Sequence, residues 1–362
     1  MKWEIKKYLS VFNLVLFSLL LVFVGRMIWT RAHDERHYTY EGERYTATGA
    51  ELREKNRELG ERYEGQVVDD DLFADFEVLV SDGLALDENG KARFDRWLYG
   101  TSLYTYSEFF DLGIEHFIGD HYTDTRSVFQ IDPPRYAYTD GWNEINNCLT
   151  ILNYTITIVC IFAAAFLFPS EYQNGMISVM HTTVNGREKT AAWKFFTVFL
   201  LSSIVCMLLN LLFSGIILAI WGADGAGAAI QLFSSGRYIT VSEQINCVTL
   251  VSIRILCGLL GLCGAVAVTL AISAYSPNPY IAVIWSLAAY FVPYFAKPGK
   301  GLSAVFSFLP FHVVNAFAGD WLAFAPFSVM TALYVLTTAF LCILSFLLCR
   351  RRFSRWTMYT KK

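Results

Sequence analysis

Residues 169–194 read PSEYQNGMISVMHTTVNGREKTAAWK, a polar and charged stretch between two long apolar runs, 148–168 and 195–221. Each flank is long enough and poor enough in charge to cross a bilayer, which takes about 20 apolar residues. The fold turns on what such a stretch does between two such runs. Ser170 followed by Gln173 has the form of a capping box after Pro169, and Asn185 with Glu188 repeats it. The spacing therefore predicts a short helix over 171–181, a turn through Thr182, Thr183 and Val184, and a second helix running into the next apolar run. Met176, Ile177, Val179 and Met180 are the apolar share of the first helix. A plain surface helix lying on the membrane has the same composition.

Working outward, similar runs lie at about 9–29, 247–273, 279–295 and 326–349, so six are present in all. The chain is 54% hydrophobic, above the roughly 45–50% of soluble domains, and the excess is concentrated in these runs. The first, YLSVFNLVLFSLLLVFVG, competes with a cleaved signal peptide. Its apolar core exceeds the roughly 7–15 residues of a signal and no small-x-small cleavage site follows, so a retained span is expected. Lys and Arg set the orientation. With both termini inside, the inner pieces 1–8, 169–194, 274–278 and 350–362 hold twelve of them and the short outer loops hold three. The expected fold is an all-α polytopic membrane protein with six transmembrane helices, N-in and C-in.

The organisation read from these runs has a cytoplasmic N-terminus and first span (1–29), an outer domain (30–147), spans two to six (148–349) with the hairpin 169–194, and a basic cytoplasmic tail (350–362). The outer domain has a formal charge of −14 and the rest of the chain +11, which the net −3 conceals. Its composition predicts mostly helix and loops. GAELREKNRELGERYEG (49–65) is rich in helix formers. VVDDDLFADFEVLVSDG (67–83) has acids ahead of an amphipathic apolar set, which suits a helix start. Trp142 is placed as an interface anchor. All eight cysteines lie outside 30–147, so that domain is not a disulfide scaffold. Cys148 and Cys247 both fall near outer ends of spans, where pairing and plain apolar packing are both open.

Two polar residues lie within spans. Arg254 has two open readings, a lining or pairing role inside protein and a side chain that snorkels to headgroups. Asn210 raises the same question. Gly258, Gly261 and Gly264 suit close helix packing. The stretch FAKPGKGLSAVFSFLPFHVVNAFAGDWLAFAP (295–326) is apolar but broken by Gly and Pro. It either lies in the interface or dips in and returns, which requires protein cover for its backbone.

The hairpin also carries Glu171, Gly175, Arg187 and Lys194 as E-x3-G-x11-R-x6-K. This resembles the first cytoplasmic loop of ABC-2 type transporter permeases, and the six-run layout with a large insert after the first run extends the resemblance to the Gram-positive type. Here Met176 stands where the family often has Thr, Val184 where it has Pro, and Trp193 where it has Gly. The resemblance implies a coupling helix, built on Glu171, Gly175, Met176, Met180, Arg187 and Lys194, that docks on an ABC ATP-binding subunit. It also implies a homodimer or a heterodimer with a second permease, membrane lipid around it, no nucleic acid, and export across a bacterial plasma membrane. ATP and Mg would be bound by the partner. From the residues themselves, Arg187 and Lys194 can pair with lipid phosphates, with Glu171 or with acids on a partner. No G-x4-G-K-[ST] loop is present: GLALDENGKA (83–92) and KPGKGLS (297–303) have the wrong spacing. His116 and His121 do not form a zinc motif, and Asp69–Asp71 lack the calcium-loop pattern. No enzyme is therefore expected. The rival function is a non-transporting sensor or scaffold whose hairpin recruits a cytosolic partner.

Overall fold

A computed structural model describes residues 10–33, 35–40, 43–69, 71–72, 132–176, 182, 188–233, 238, 241–295, 305–318 and 326–354. Met180 and Arg187 of the hairpin, Thr183 and Val184 of its expected turn, and His116 and His121 lie outside them. Helix α1 covers Val11–His33 and is followed by strands β1, Glu35–Tyr40, and β2, Glu43–Thr48. Then come α2 (Gly49–Tyr63), α3 (Asp140–Ala165), α4 (Pro169–Gln173), α5 (Glu188–Trp221), α6 (Cys247–Tyr275), α7 (Pro279–Phe295), α8 (Pro310–Val314) and α9 (Phe327–Ser354). Five stretches are long and apolar enough to cross a membrane: Asn13–His33, Asp140–Gln173, Lys189–Trp221, Cys247–Tyr275 and Phe327–Phe353. The remaining apolar run forms α7, at 17 residues a shorter helix, with Pro293 near its end.

Burial sorts these helices. In their most apolar windows, 67% of the Asp140–Gln173 stretch and 61% of α6 are buried, against 22% in each of α1, α5 and α9. So α3 and α6 form the centre and the others surround it. The outer helices turn large apolar side chains away from the protein: Val22 and Phe23 on α1, Leu208 and Leu211 on α5, Phe340 and Ile343 on α9 are all more than half exposed. Such a continuous band is incompatible with water and natural against lipid.

Glycines let the centre close up. A Cβ on Gly258 would come within 2.4–2.8 Å of the Asn153 side chain, one on Gly261 within 2.5 Å of the Val314 nitrogen, and one on Gly264 within 3.1 Å of Pro310. The last two contacts resolve the question about 295–326. Its described part, 305–318, enters the bundle and packs on α6. Gly264 is 17 residues into α6, about 25 Å at 1.5 Å per residue. The segment therefore reaches just past the middle of that helix before returning, with protein covering its backbone. Near its described end stands Phe317, a non-glycine residue at φ 61°. Its ring is buried, lies 4.1 Å from that of Phe327, and its carbonyl accepts from the Tyr238 hydroxyl at 2.8 Å. Those contacts hold a conformation that L residues disfavour.

The segment 35–48 departs from the expectation of helices and loops. β1 and β2 pair antiparallel from Glu35 opposite Thr48 to Tyr40 opposite Glu43. The Tyr and Thr residues concentrated here favour a strand. By contrast, 49–63 is helical as expected. Arg53 of α2 lies over the Trp221 ring at 5.3 Å, and Arg57 approaches Asp224 at 3.7 Å. These contacts bring α2 against the end of α5. Residues 65–68 form a short extended ladder with 134–136, through Val68 N to Pro134 O and Tyr136 N to Gln66 O. Asp69 then caps the following turn, accepting from Leu72 N at 3.2 Å, the helix-start role expected of that acidic run.

Helix α3 begins at Asp140, eight residues before the expected edge at 148. Trp142 is buried, donating from Nε1 to Ala223 O at 3.2 Å, rather than facing an interface. All eight cysteines are free thiols, Cys148 and Cys247 among them, and seven are buried.

Candidate functional site

The hairpin leaves α3 differently from the capping-box reading. The residue before α4 is Phe168, which is itself helical at φ −81°, ψ −45°, and no side chain caps the helix. Ser170 N still bonds back to Phe166 O, and the Ser170 hydroxyl donates to Leu167 O at 3.2 Å. The chain is thus a continuing helix interrupted at Pro169, which lacks the N–H to donate, and not a fresh start. The helix does not extend to 181 in one piece either. Gly175 adopts φ 64°, the left-handed conformation that ends helices and that glycine adopts without strain. Its nitrogen bonds to Tyr172 O. Met176, half-buried, re-enters helical conformation beyond it.

At the base of the hairpin Glu171 and Lys194 meet. The carboxylate Oε1 and the ammonium Nζ form an ion pair in which the side chains are 2% and 0% exposed. Of the three partners open to Lys194, the structure supplies Glu171. Lys194 lies six residues into α5, so the pair ties α4 to the foot of that helix. The ammonium also lies 5.8 Å from the centre of the Phe168 ring, which packs 5.7 Å from Phe353 of α9. Ser273 of α6 donates to Ala165 O at 2.9 Å and accepts from Phe168 N at 3.4 Å. Tyr172 donates to Ala274 O at 2.8 Å. Helices α3, α4, α5, α6 and α9 therefore converge on one buried knot. Gln173 and Asn174, next along, are exposed.

The second site lies toward the other ends of α3 and α6. Arg254 is 3% exposed, which excludes the snorkelling alternative. Its Nη1 donates to the carbonyl and side-chain oxygen of Asn146. Its Nη2 donates to Thr150 Oγ1 at 2.9 Å and to Asn315 Oδ1 at 3.0 Å, and Thr150 itself donates to Asn315 Oδ1 at 2.7 Å. One guanidinium thus clips the inserted segment to both central helices. Asn146 also accepts from Tyr238 at 3.1 Å. Asn210 is wholly buried and donates to Asn153 Oδ1 and to Cys206 O, each at 3.0 Å. Arg254 and Asn210 do not touch the Glu171–Lys194 pair, but both bind one polar stripe of α3 at 146, 150 and 153.

Comparison with family models, curated proteins and solved structures gives no match to this chain. The geometry therefore carries the functional argument.

Chemically the knot and the stripe are structural and electrostatic. Among the described residues no group of His, Cys, Asp or Glu is arranged to hold a metal ion. Asn146, Thr150, Asn153 and Asn315 were missed in the sequence. The first three follow a helical spacing of four and three, a signal present in NNCLTILN but split by placing the start of the span at 148. Asn315 has no local signal, because its role comes from the chain folding back into the bundle. Ser273 and Phe168 look like ordinary span residues until α4 is set against α6.

Proposed function

We propose that the chain is the membrane-spanning permease subunit of an ABC-2 type ATP-driven exporter. The observation that carries this reading is the buried Glu171–Lys194 pair at the base of a polar hairpin between two long apolar helices. Charged groups removed from water are held firmly by each other and by their neighbours. A push on the exposed turn at Gln173 and Asn174 is then passed to α3, α5, α6 and α9 as a unit rather than absorbed by a loose loop. That is the mechanical property a coupling helix needs. The resemblance of E-x3-G-x11-R-x6-K to the permease loop supplies the partner, a separate ATP-binding subunit that carries ATP and Mg.

In this reading α7 completes six spans, both termini and the hairpin face the cytoplasm of a bacterial cell, and residues 34–139, between the first two spans, face outward. Two permease copies, identical or homologous, enclose the path. ATP binding draws the two ATPases together, the hairpins follow, and the central helices rock. The substrate class proposed is a peptide, an antimicrobial or a lipid-like compound.

The test is co-purification from native membranes. A Walker-type ATPase is expected with the wild type and is expected to be lost from Asn174→Trp. Asn174 is exposed, so that variant disturbs docking without opening the buried pair. If no ATPase accompanies the wild type, the sensor or scaffold reading replaces this one.

A further inference from the structure

A cleft of about 660 Å3 opens between α6, α7 and α9, at the end of the bundle that carries the hairpin base. Tyr275, Ile281, Trp285, Ala289, Val292 and Leu348 are among its lining residues. On α7 the lining runs from Ile281 to Val292 along one face, about 16 Å at 1.5 Å per residue. The hydrocarbon core of a bilayer is about 30 Å thick, so the cleft spans one leaflet. Its walls are apolar, and Ile281, Trp285 and Val292 are 42%, 62% and 50% exposed.

One end of the cleft is basic. The Arg352 guanidinium lies over the Tyr275 ring at 5.3 Å. Arg352 follows Leu348 by one turn of α9, on the same face, and Arg350 and Arg351 beside it are exposed. Tyr280, 69% exposed, lies in the first turn of α7 one residue before Ile281 of the lining, and exposed aromatic residues at helix ends mark the edge of a membrane.

We propose that this cleft is a binding site for an anionic phospholipid. One acyl chain lies along the α7 face against Trp285, and the phosphate meets Arg352. The charge argues for the headgroup: a planar guanidinium binds phosphate in a fork of two hydrogen bonds, and clustered basic residues at a membrane surface favour anionic lipid. The depth argues for a chain rather than a helix from another protein, which would need a groove through both leaflets. This site does not depend on the exporter reading.

The test uses Trp285 as the reporter. Protein in lipid discs is titrated with phosphatidylglycerol or phosphatidylcholine brominated on the acyl chains. The Trp285 signal is taken as the difference between wild type and Trp285→Phe. Half-quenching is expected at about fivefold lower mole fraction of phosphatidylglycerol, the factor one basic residue near a membrane surface supplies. Arg352→Lys, which keeps the charge but not the fork, should keep part of the preference, and Arg352→Gln should abolish it. Ala289→Phe, which fills the cleft and leaves the arginines in place, should remove the quenching by both lipids. Equal quenching by the two headgroups in wild type overturns the proposal, as does a preference that survives Arg352→Gln. No quenching by either lipid would mean that protein, such as a second copy of the chain, covers the cleft, and the proposal falls.

Discussion

At the scale of single residues the chain depends on a few buried polar groups, and their partners set the cost of losing them. Lys194→Met leaves the Glu171 carboxylate buried without its counter-charge, which costs about 3–5 kcal/mol. Glu171→Leu combined with Lys194→Met removes both charges and should recover most of that loss. Denaturant unfolding in detergent measures both, and a double variant no more stable than the single would sink the account. Gly261 presents a different constraint, because a Cβ there would meet the backbone of Val314, which cannot rotate away. Gly261→Ala should cost about 1–3 kcal/mol by overpacking. Gly215, with nothing within 4 Å of a built Cβ, is the control, and Gly215→Ala should be neutral or stabilising. Tyr138 is a pH-dependent case. Burial, then the nearby Asp140 carboxylate, pushes its phenol well above the usual range, against the opposing pull of Arg53. The folded state therefore holds the proton more tightly than the unfolded one. Its contribution is intact below about pH 10 and is lost as the pH rises beyond it. Tyr138→Phe should flatten part of the alkaline limb of the stability profile, while losing the hydrogen bond to Trp221 O.

At the scale of elements, the inserted segment 305–318 is held by side chains rather than by regular secondary structure. Arg254 is its main tie to α3, through Asn315, Thr150 and Asn146. Arg254→Leu should therefore raise amide hydrogen exchange across 305–318 by an order of magnitude or more, since a lost charged hydrogen bond is worth about 1.5–3 kcal/mol. The exchange of α5, which has no bond to Arg254 among those described, should stay unchanged. Uniform acceleration everywhere would mean global destabilisation instead. The sequence identified the interruption by Gly and Pro and left two placements open. The packing on Gly261 and Gly264 decides between them. The β1–β2 ladder and the break at Gly175 escaped the sequence for a related reason. Short segments choose their conformation from a single turn or pairing, which composition over a window averages away.

For the whole molecule, the arrangement predicts which ends share a side of the membrane. The native cysteines are buried or half-buried, so an impermeant maleimide reports introduced ones. Asn174→Cys and Ala223→Cys, both at exposed positions, should label from opposite sides of sealed vesicles. Labelling of both from one side would refute the span count between them.

The sequence by itself determined that the chain has long apolar runs, where their edges lie to within a few residues in most cases, and that polar material separates the second from the third. These are local properties, because whether a stretch suits a bilayer depends on its own side chains and their summed transfer energy. Only the tertiary structure decided what the polar residues inside those runs do. Glu171 and Lys194 were both marked in the sequence, each with more than one acceptable partner, and only the fold brings them together in a buried place. Arg254 was compatible with headgroups and with protein until Asn146 and Thr150 of α3 and Asn315 of the inserted segment converged on it. A buried charge is tolerated only where its partners are, and those partners are gathered by the fold from distant parts of the chain.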